Sequence, residues 1–294
     1  MFKKILIPTD FSEPSVKIIE RIPQFKAMGT EEVIIFFALR TLDAFMGETY
    51  IEFSYIEDVE NYAKKEMAKM KEYLENHGLK AKILIEFGNP SILILDAARN
   101  EDVNLIIMSS HGHGAGRDFH LGSVAHSVLH HAQRPVLIEK VKWEKDKNGK
   151  DVARYISKQA YSKVLLPTDF SERAEYALSA LKSFVKMGAK EVALLHVQDV
   201  GKLVPHLEYK IFEFDSIDNE RLNKVKTELD PLGLKVKTIV DHGVPADEII
   251  KKAEEVKANL IIMGAYGRNP FAEFFLGSVS ERVVQKSSKD VLVI

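Results

Sequence analysis

Short, largely apolar runs alternate along this chain with stretches whose apolar positions recur every three or four residues. The runs Lys4–Pro8, Val33–Ala38, Ala81–Phe87, Leu105–Met108 and Val136–Ile138 predict strands, and a continuous run such as Val33–Ala38 marks one buried on both faces. Between them, Ile56, Val59, Ala63, Met67, Met70 and Leu74 step by three or four and stop at His77-Gly78, which predicts an amphipathic helix ended by glycine. Ser12 is placed to cap a helix with Pro14 early in it, Asn89-Pro90 opens another through Ala98, and Val124–His131 forms the last. Five strands alternating with four helices predict a doubly wound parallel α/β sheet.

The same pattern returns in the second half. Ile5-Leu-Ile-Pro-Thr-Asp-Phe-Ser-Glu13 recurs as Val164-Leu-Leu-Pro-Thr-Asp-Phe-Ser-Glu172, an offset of 159. Asn104-Leu-Ile-Ile-Met108 recurs as Asn259-Leu-Ile-Ile-Met263, an offset of 155, as do Leu121-Gly-Ser-Val124 and Leu276-Gly-Ser-Val279. The chain therefore holds two copies of one domain, over 1–140 and 161–294, joined by 141–160. The four-residue change in offset belongs between the second strand and the end of the second helix, where the first copy carries Asp43-Ala-Phe-Met-Gly47. The junction from Glu139 to Asp151 is dense in both charges and contains Asn148-Gly149, so it reads as a linker or exposed turn. Trp143, the single tryptophan, is expected to cover apolar surface there, with a ligand or partner contact as the other reading. Val152–Tyr161 is compatible with a short helix.

Composition narrows the classes. Of 294 residues, Lys+Arg number 41 against 43 Asp+Glu, so charge gives no reason to expect nucleic acid or an anionic membrane as partner. Cysteine is absent, which excludes disulfides, thiol catalysis and Cys-ligated zinc and fits a cytoplasmic location. No apolar run approaches the roughly 20 residues that span a bilayer, and Pro8 and Asp10 come too early for a signal peptide.

The candidate chemistry lies at the carboxyl ends of the predicted strands, where open α/β sheets bind ligands. In the second copy Gly264-x2-Gly267-x9-Gly277-Ser278 follows the apolar run ending at Met263 and precedes a helix from Val279. A strand, a glycine loop and a helix start make an anion site, since unpaired N–H groups and the helix dipole favour negative charge. The glycines are expected to allow close approach and positive φ, and the Ser278 hydroxyl to donate to the anion. Pro167, Thr168 and Asp169, with Val197 after His196, converge on the same end. Asp169 reads either as an acceptor for a ribose hydroxyl or adenine amine or as a cap on the following helix.

These residues resemble the universal stress protein family, here as a tandem pair covering nearly the whole chain outside the linker. The resemblance implies two tandem doubly wound, Rossmann-like parallel five-stranded sheets that bind an adenine nucleotide, ATP, ADP or AMP, with Mg accompanying ATP. It places Asp169 and Val197 at the adenosine and Gly264, Gly267, Gly277, Ser278 and Val279 at the phosphates, with Pro167, Thr168, Met263, Tyr266 and Arg268 beside them. The first-copy counterparts are Pro8, Thr9, Asp10, Ala38, Met108, Ser109, His111, Gly112, Gly122, Ser123 and Val124. It also implies pairing of the two domains within the chain, with a homodimer of tandem chains as a further association. Ser109 replaces the first glycine, which predicts weaker binding by the first copy if that position needs positive φ.

Two rival readings remain. Six histidines, His111, His113, His120, His126, His130 and His131, crowd one stretch, and His126 and His130 have a metal-compatible spacing. A slow ATP hydrolase is the other, although neither glycine loop carries the lysine of a P-loop. The favoured reading is a nucleotide-binding regulatory or sensor module rather than an enzyme.

Overall fold

The computed structural model describes residues 1–40, 53–110, 121–149, 151–155, 161–199, 201, 210–267 and 276–294. The chain divides into two compact units, Met1–Arg154 and Tyr155–Ile294. Unit 1 runs β1 (Lys4–Pro8), α1 (Glu13–Arg21), β2 (Glu32–Leu39), α2 (Phe53–Asn76), β3 (Lys80–Phe87), α3 (Pro90–Asn100), β4 (Leu105–Ser109), α4 (Ser123–His131) and β5 (Val136–Glu139). Its strands are parallel in the order β5-β4-β1-β2-β3. Unit 2 repeats this with β8 (Lys163–Pro167), α5 (Glu172–Lys186), β9 (Glu191–Gln198), α6 (Ile211–Leu229), β10 (Lys235–His242), α7 (Pro245–Glu255), β11 (Leu260–Met263), α8 (Ser278–Lys286) and β12 (Asp290–Val293). Its order is β10-β9-β8-β11-β12, again parallel. In each unit the strand order reverses between the first and fourth strands, the place at whose carboxyl ends open α/β sheets bind ligands.

Burial explains why these segments are strands. Ile5, Leu6, Ile7, Val33, Ile34 and Ile35 in unit 1, and Leu165, Leu194, Leu195, Ile261 and Ile262 in unit 2, are all 0% exposed. Each such side chain contributes about 1.5–3 kcal/mol by leaving water. An exposed ion pair such as Lys3–Glu31 adds about 0–1 kcal/mol, so the apolar strands carry the fold. The repeated Asn of the Asn-Leu-Ile-Ile-Met runs has a structural task as well. Asn104 Oδ1 accepts from the Lys4 N–H at 3.0 Å and Asn259 Oδ1 from the Lys163 N–H at 3.1 Å, which ties the entry of the fourth strand to that of the first.

The junction differs from its expected form. It is a two-stranded ribbon of β6 (Val141–Lys145) and β7 (Asp151–Tyr155). Asn148-Gly149 does make the turn, with Gly149 at φ +77 and its N–H donating to the Asp146 carbonyl at 3.0 Å. Val152–Tyr155 is strand rather than helix because α1 supplies its partners. The Ala153 N–H donates to Glu13 Oε1 at 3.1 Å and its carbonyl accepts from Lys17 Nζ at 2.6 Å. Backbone groups that a ribbon leaves unpaired are thereby satisfied. Trp143 stands half-buried on β6.

The helices that follow the first strands begin on serine. Ser12 accepts from the Ser15 N–H and Ser171 from the Ala174 N–H. Asn89 does the same for α3 through the Ser91 N–H. Replacing Ser171 by Ala is expected to lower unfolding stability by about 0.5–2 kcal/mol, read as a shift of the urea midpoint at unchanged slope. An unchanged midpoint would show that α5 needs no cap.

Candidate functional site

The first strand of each unit reaches its helix through Thr-Asp-Phe-Ser, and every side chain in it is used. Thr168 Oγ1 accepts from the Phe170 N–H at 3.0 Å. Asp169 Oδ1 accepts from the Ser171 N–H at 3.1 Å and from Ser171 Oγ at 2.6 Å, and Ser171 then caps α5. Unit 1 repeats the pattern with Thr9 Oγ1 to Phe11 at 3.1 Å and Asp10 Oδ1 to the Ser12 N–H at 3.0 Å. The turn places an aromatic residue in the left-handed region twice, Phe11 at φ 58 and Phe170 at φ 60. A bulky residue there carries strain on the order of 1–3 kcal/mol, offset by these bonds and by ring packing. Asp169 is therefore committed to the helix start through one oxygen, as the capping reading expected, while the other, Oδ2, faces the glycine loop across Gly267.

In unit 2 the carboxyl ends of β8, β9 and β11 open on one cleft of ≈ 950 Å³. Its walls include Pro167, Thr168, Asp169, Val197, Met263, Gly264, Tyr266, Gly267, Gly277, Ser278 and Val279. Those are all the second-copy residues predicted for the site except Arg268, which lies outside the described residues. The loop closes on itself: the Gly277 N–H donates to the Ala265 carbonyl at 2.7 Å and Ser280 Oγ to the Gly264 carbonyl at 2.8 Å. Gly277 is the N-cap of α8, and among the described residues no side chain caps that helix.

The glycines are needed for space, which corrects the expectation of positive φ. Neither Gly264, Gly267 nor Gly277 lies in the left-handed region. A Cβ on Gly264 would stand 2.9 Å from Arg173 Cβ, one on Gly267 2.6 Å from Asp169 Oδ2, and one on Gly277 3.2 Å from the Ala265 carbonyl oxygen. The argument that Ser109 strains the first copy therefore fails. Pro14 occupies the place of Arg173 in unit 1, and Ser109 completes β4. Gly122 donates to the Ser110 carbonyl at 2.9 Å and begins α4 without a side-chain cap, so the helix start of unit 1 matches that of unit 2. Pro8 and Thr9 lie at the end of β1, Ala38 on β2, Met108 and Ser109 on β4, and Ser123 and Val124 on α4. His111 and Gly112 lie outside the described residues, as do His113 and His120. His126 and His130 stack on α4 with ring centroids 4.4 Å apart, and His131 Nδ1 is 2.8 Å from the Ser127 carbonyl.

Beside this cleft runs a polar network of which the sequence singles out only His196. His196 Nδ1 lies 2.7 Å from the Thr168 carbonyl, which only accepts, so that nitrogen carries the hydrogen. Its Nε2 stands 3.4 Å from Asp218 Oδ2. Gln198 Nε2 donates to Asp218 Oδ2 and to Asp215 Oδ1, both at 3.0 Å, and His242 Nε2 meets Asp215 Oδ1 at 2.9 Å. Phe170 packs on His196 at 4.7 Å between centroids, with the Arg221 guanidinium 5.2 Å from the Phe170 ring. Unit 1 places Phe37, Leu39 and Ala63 where unit 2 has His196, Gln198 and Asp218. There Phe11 packs on Phe37 at 4.7 Å and on Tyr62 at 5.5 Å. The available signal was the i, i+3 pair Asp215 and Asp218 on α6, with Asp218 at a position that is apolar in α2. Beside the network, burial pushes the Asp241 carboxyl up, but Lys252, the His242 N–H and the charge of Lys251 outweigh it and hold it below 3.8. Its stabilisation is present above that value and fades as pH falls through the lower folded one.

A doubly wound parallel unit with a glycine-spaced loop at its switch point, present twice, defines the class. The profile of the universal stress protein family matches residues 1–140 and 160–294, and the chain belongs to that family. A universal stress protein of Methanocaldococcus jannaschii is 41% identical over 153 residues, covering 46% of this chain and 94% of that protein. One from Mycolicibacterium smegmatis is 29% identical over 224 residues, covering 75% of this chain and 70% of its own. The crystal structure of a universal stress protein from Archaeoglobus fulgidus matches 99% of this chain and 95% of its own, with a TM-score of 0.68 and 28% identity. Among the described residues no helix is long and apolar enough to cross a membrane.

Gly267→Ala tests the packing account without any ligand. Displacing the Asp169 carboxylate should lower stability by about 1–3 kcal/mol in urea unfolding. A loss under about 0.5 kcal/mol would show that the loop yields, since ordinary surface substitutions fall in that range.

Proposed function

We propose that this protein is a nucleotide-responsive regulatory module of the stress-protein type, and that unit 2 binds an adenine nucleotide in the cleft. The observation that carries this reading is the start of α8. It opens on the cleft with glycine at the N-cap and no side-chain cap, whereas α5 across the switch point is capped by Ser171. Backbone N–H groups and the helix dipole there favour an anion. The phosphates occupy the surface made by Gly264, Gly267, Gly277 and Ser278, and the nucleoside lies toward Asp169 and Val197. A cleft of this size accommodates a nucleotide-sized ligand, since ligand pockets run about 300–1,000 Å³. The absence of a lysine after the loop favours holding the nucleotide over rapid phosphoryl transfer.

Unit 1 binds as well, because Gly122 begins α4 in the same way, and binds more weakly, because its base-side wall carries Phe37 where unit 2 has His196. Mass spectrometry of the purified chain is expected to find an adenine nucleotide. Calorimetric titration should resolve two affinities, with Gly277→Val removing the tighter and Gly122→Val the weaker. Saturation at 100 times the dissociation constant should stabilise the protein by about 2.7 kcal/mol in thermal unfolding. No binding of ATP, ADP or AMP would overturn the proposal, and equal affinities in the two variants would overturn the ranking.

A further inference from the structure

Arg173 sits in the first turn of α5, where its Cβ is the atom that a side chain on Gly264 would strike, 2.9 Å away. Its guanidinium donates to the Tyr266 hydroxyl and lies over the Tyr266 ring at 4.6 Å, with Tyr176 on another side at 5.6 Å. Tyr266 lines the cleft between the glycines of the loop, and Arg173 adjoins the cleft through Tyr266 without being part of its wall. Among the described residues no carboxylate pairs with Arg173, in contrast to Arg21, Arg99, Arg134, Arg154, Arg221 and Arg282, each of which lies within 4.0 Å of one. An arginine stays charged at any physiological pH, and its planar fork of donors matches phosphate oxygens two at a time.

From this arrangement we infer that Arg173 is the cation that binds the distal phosphates of the nucleotide in unit 2, in the role that a lysine after the loop would otherwise fill. The inference rests on the nucleotide reading of the cleft and deepens it. The two tyrosines hold the guanidinium at the loop rather than neutralising it. Stacking on an aromatic ring supplies about 0.5–1 kcal/mol at an exposed site, and the one bond to a neutral phenol leaves most of the five N–H donors for a ligand. Gly264 is then the residue that lets α5 come close enough for an arginine on this helix to reach a loop that follows β11. Unit 1 has Pro14 at the corresponding position, which brings no charge, so discrimination between di- or triphosphate and monophosphate belongs to unit 2 alone.

The test is calorimetry with ATP, ADP and AMP on the full chain carrying Gly122→Val, so that unit 2 is read by itself. If that variant does not fold, the tighter phase of the otherwise unaltered chain is read instead. Arg173→Gln should weaken ATP and ADP about tenfold or more, the equivalent of one charge-assisted hydrogen bond, and leave AMP within about twofold. Arg173→Lys should fall between, since it keeps the charge and loses the fork. Tyr266→Phe, which frees the guanidinium while keeping the ring, should alter ATP affinity more than AMP affinity. A loss shared equally by ATP and AMP, or no loss for either, would assign Arg173 a purely structural part and overturn the inference. An unsubstituted chain that binds none of the three would overturn the nucleotide reading itself.

Discussion

The cleft depends on how abruptly the chain turns from β8 into α5. Three residues separate the last strand residue, Pro167, from the Ser171 cap, and Phe170 enters the left-handed region to make that turn. A glycine would enter that region without steric penalty, but it would bring no ring to pack on His196. The phenylalanine is held there by Thr168 Oγ1 on its N–H and by the His196 ring, while Asp169 secures the helix start. With the turn set, Asp169 Oδ2 and Arg173 Cβ are brought against the glycine loop, so that a Cβ at Gly267 or Gly264 would force one of them to shift. The glycine spacing of one loop is thus a consequence of a turn that precedes it by about a hundred residues.

That dependence explains what could be read in the sequence. Buried parallel strands are continuous apolar runs, so β1, β2 and β4 and their second-unit copies stand out, and the repeat confirms them by position. Ser12, Asn89 and the glycine at 78 mark helix ends because capping is local chemistry. The reason for Gly264 and Gly267 was not legible, since the atoms they avoid belong to α5 and to the strand-to-helix turn. The ribbon of β6 and β7 was missed for a similar reason. Its composition is that of a linker, and only the side chains of Glu13 and Lys17 on α1 give Ala153 its partners.

The two units keep one scaffold and finish it differently. Phe37, Leu39 and Ala63 form a set, as do His196, Gln198 and Asp218, and the sets are not interchangeable one residue at a time. Removing Asp218 alone would deprive Gln198 of one of its two acceptors and take away the carboxylate that His196 Nε2 faces. A buried polar group left without its partner costs about 1–3 kcal/mol. Gln198 is already at the edge of this balance. Both its N–H groups are spoken for by carboxylates, which fixes the amide orientation, and its Oε1 is buried without a protein partner among the described residues.

The positions of these groups also impose a direction on the unit 2 cleft. Asp215 and Asp218 project from α6 on the β9 side of β8, together with His196 and Gln198. On the β11 side lies the start of α8, with Arg173 adjoining the cleft through Tyr266 rather than lining it. The first region also carries Arg221, whose guanidinium stands 3.6 Å from Asp218 and partly balances it, whereas the start of α8 offers backbone N–H groups to an anion. The nucleotide proposed above would accordingly lie with its phosphates toward the start of α8 and its nucleoside toward β9. Unit 1 has Phe37, Leu39 and Ala63 in place of His196, Gln198 and Asp218 and Pro14 in place of Arg173, so of these features the glycine start of the last helix, at Gly122, is the one common to both units.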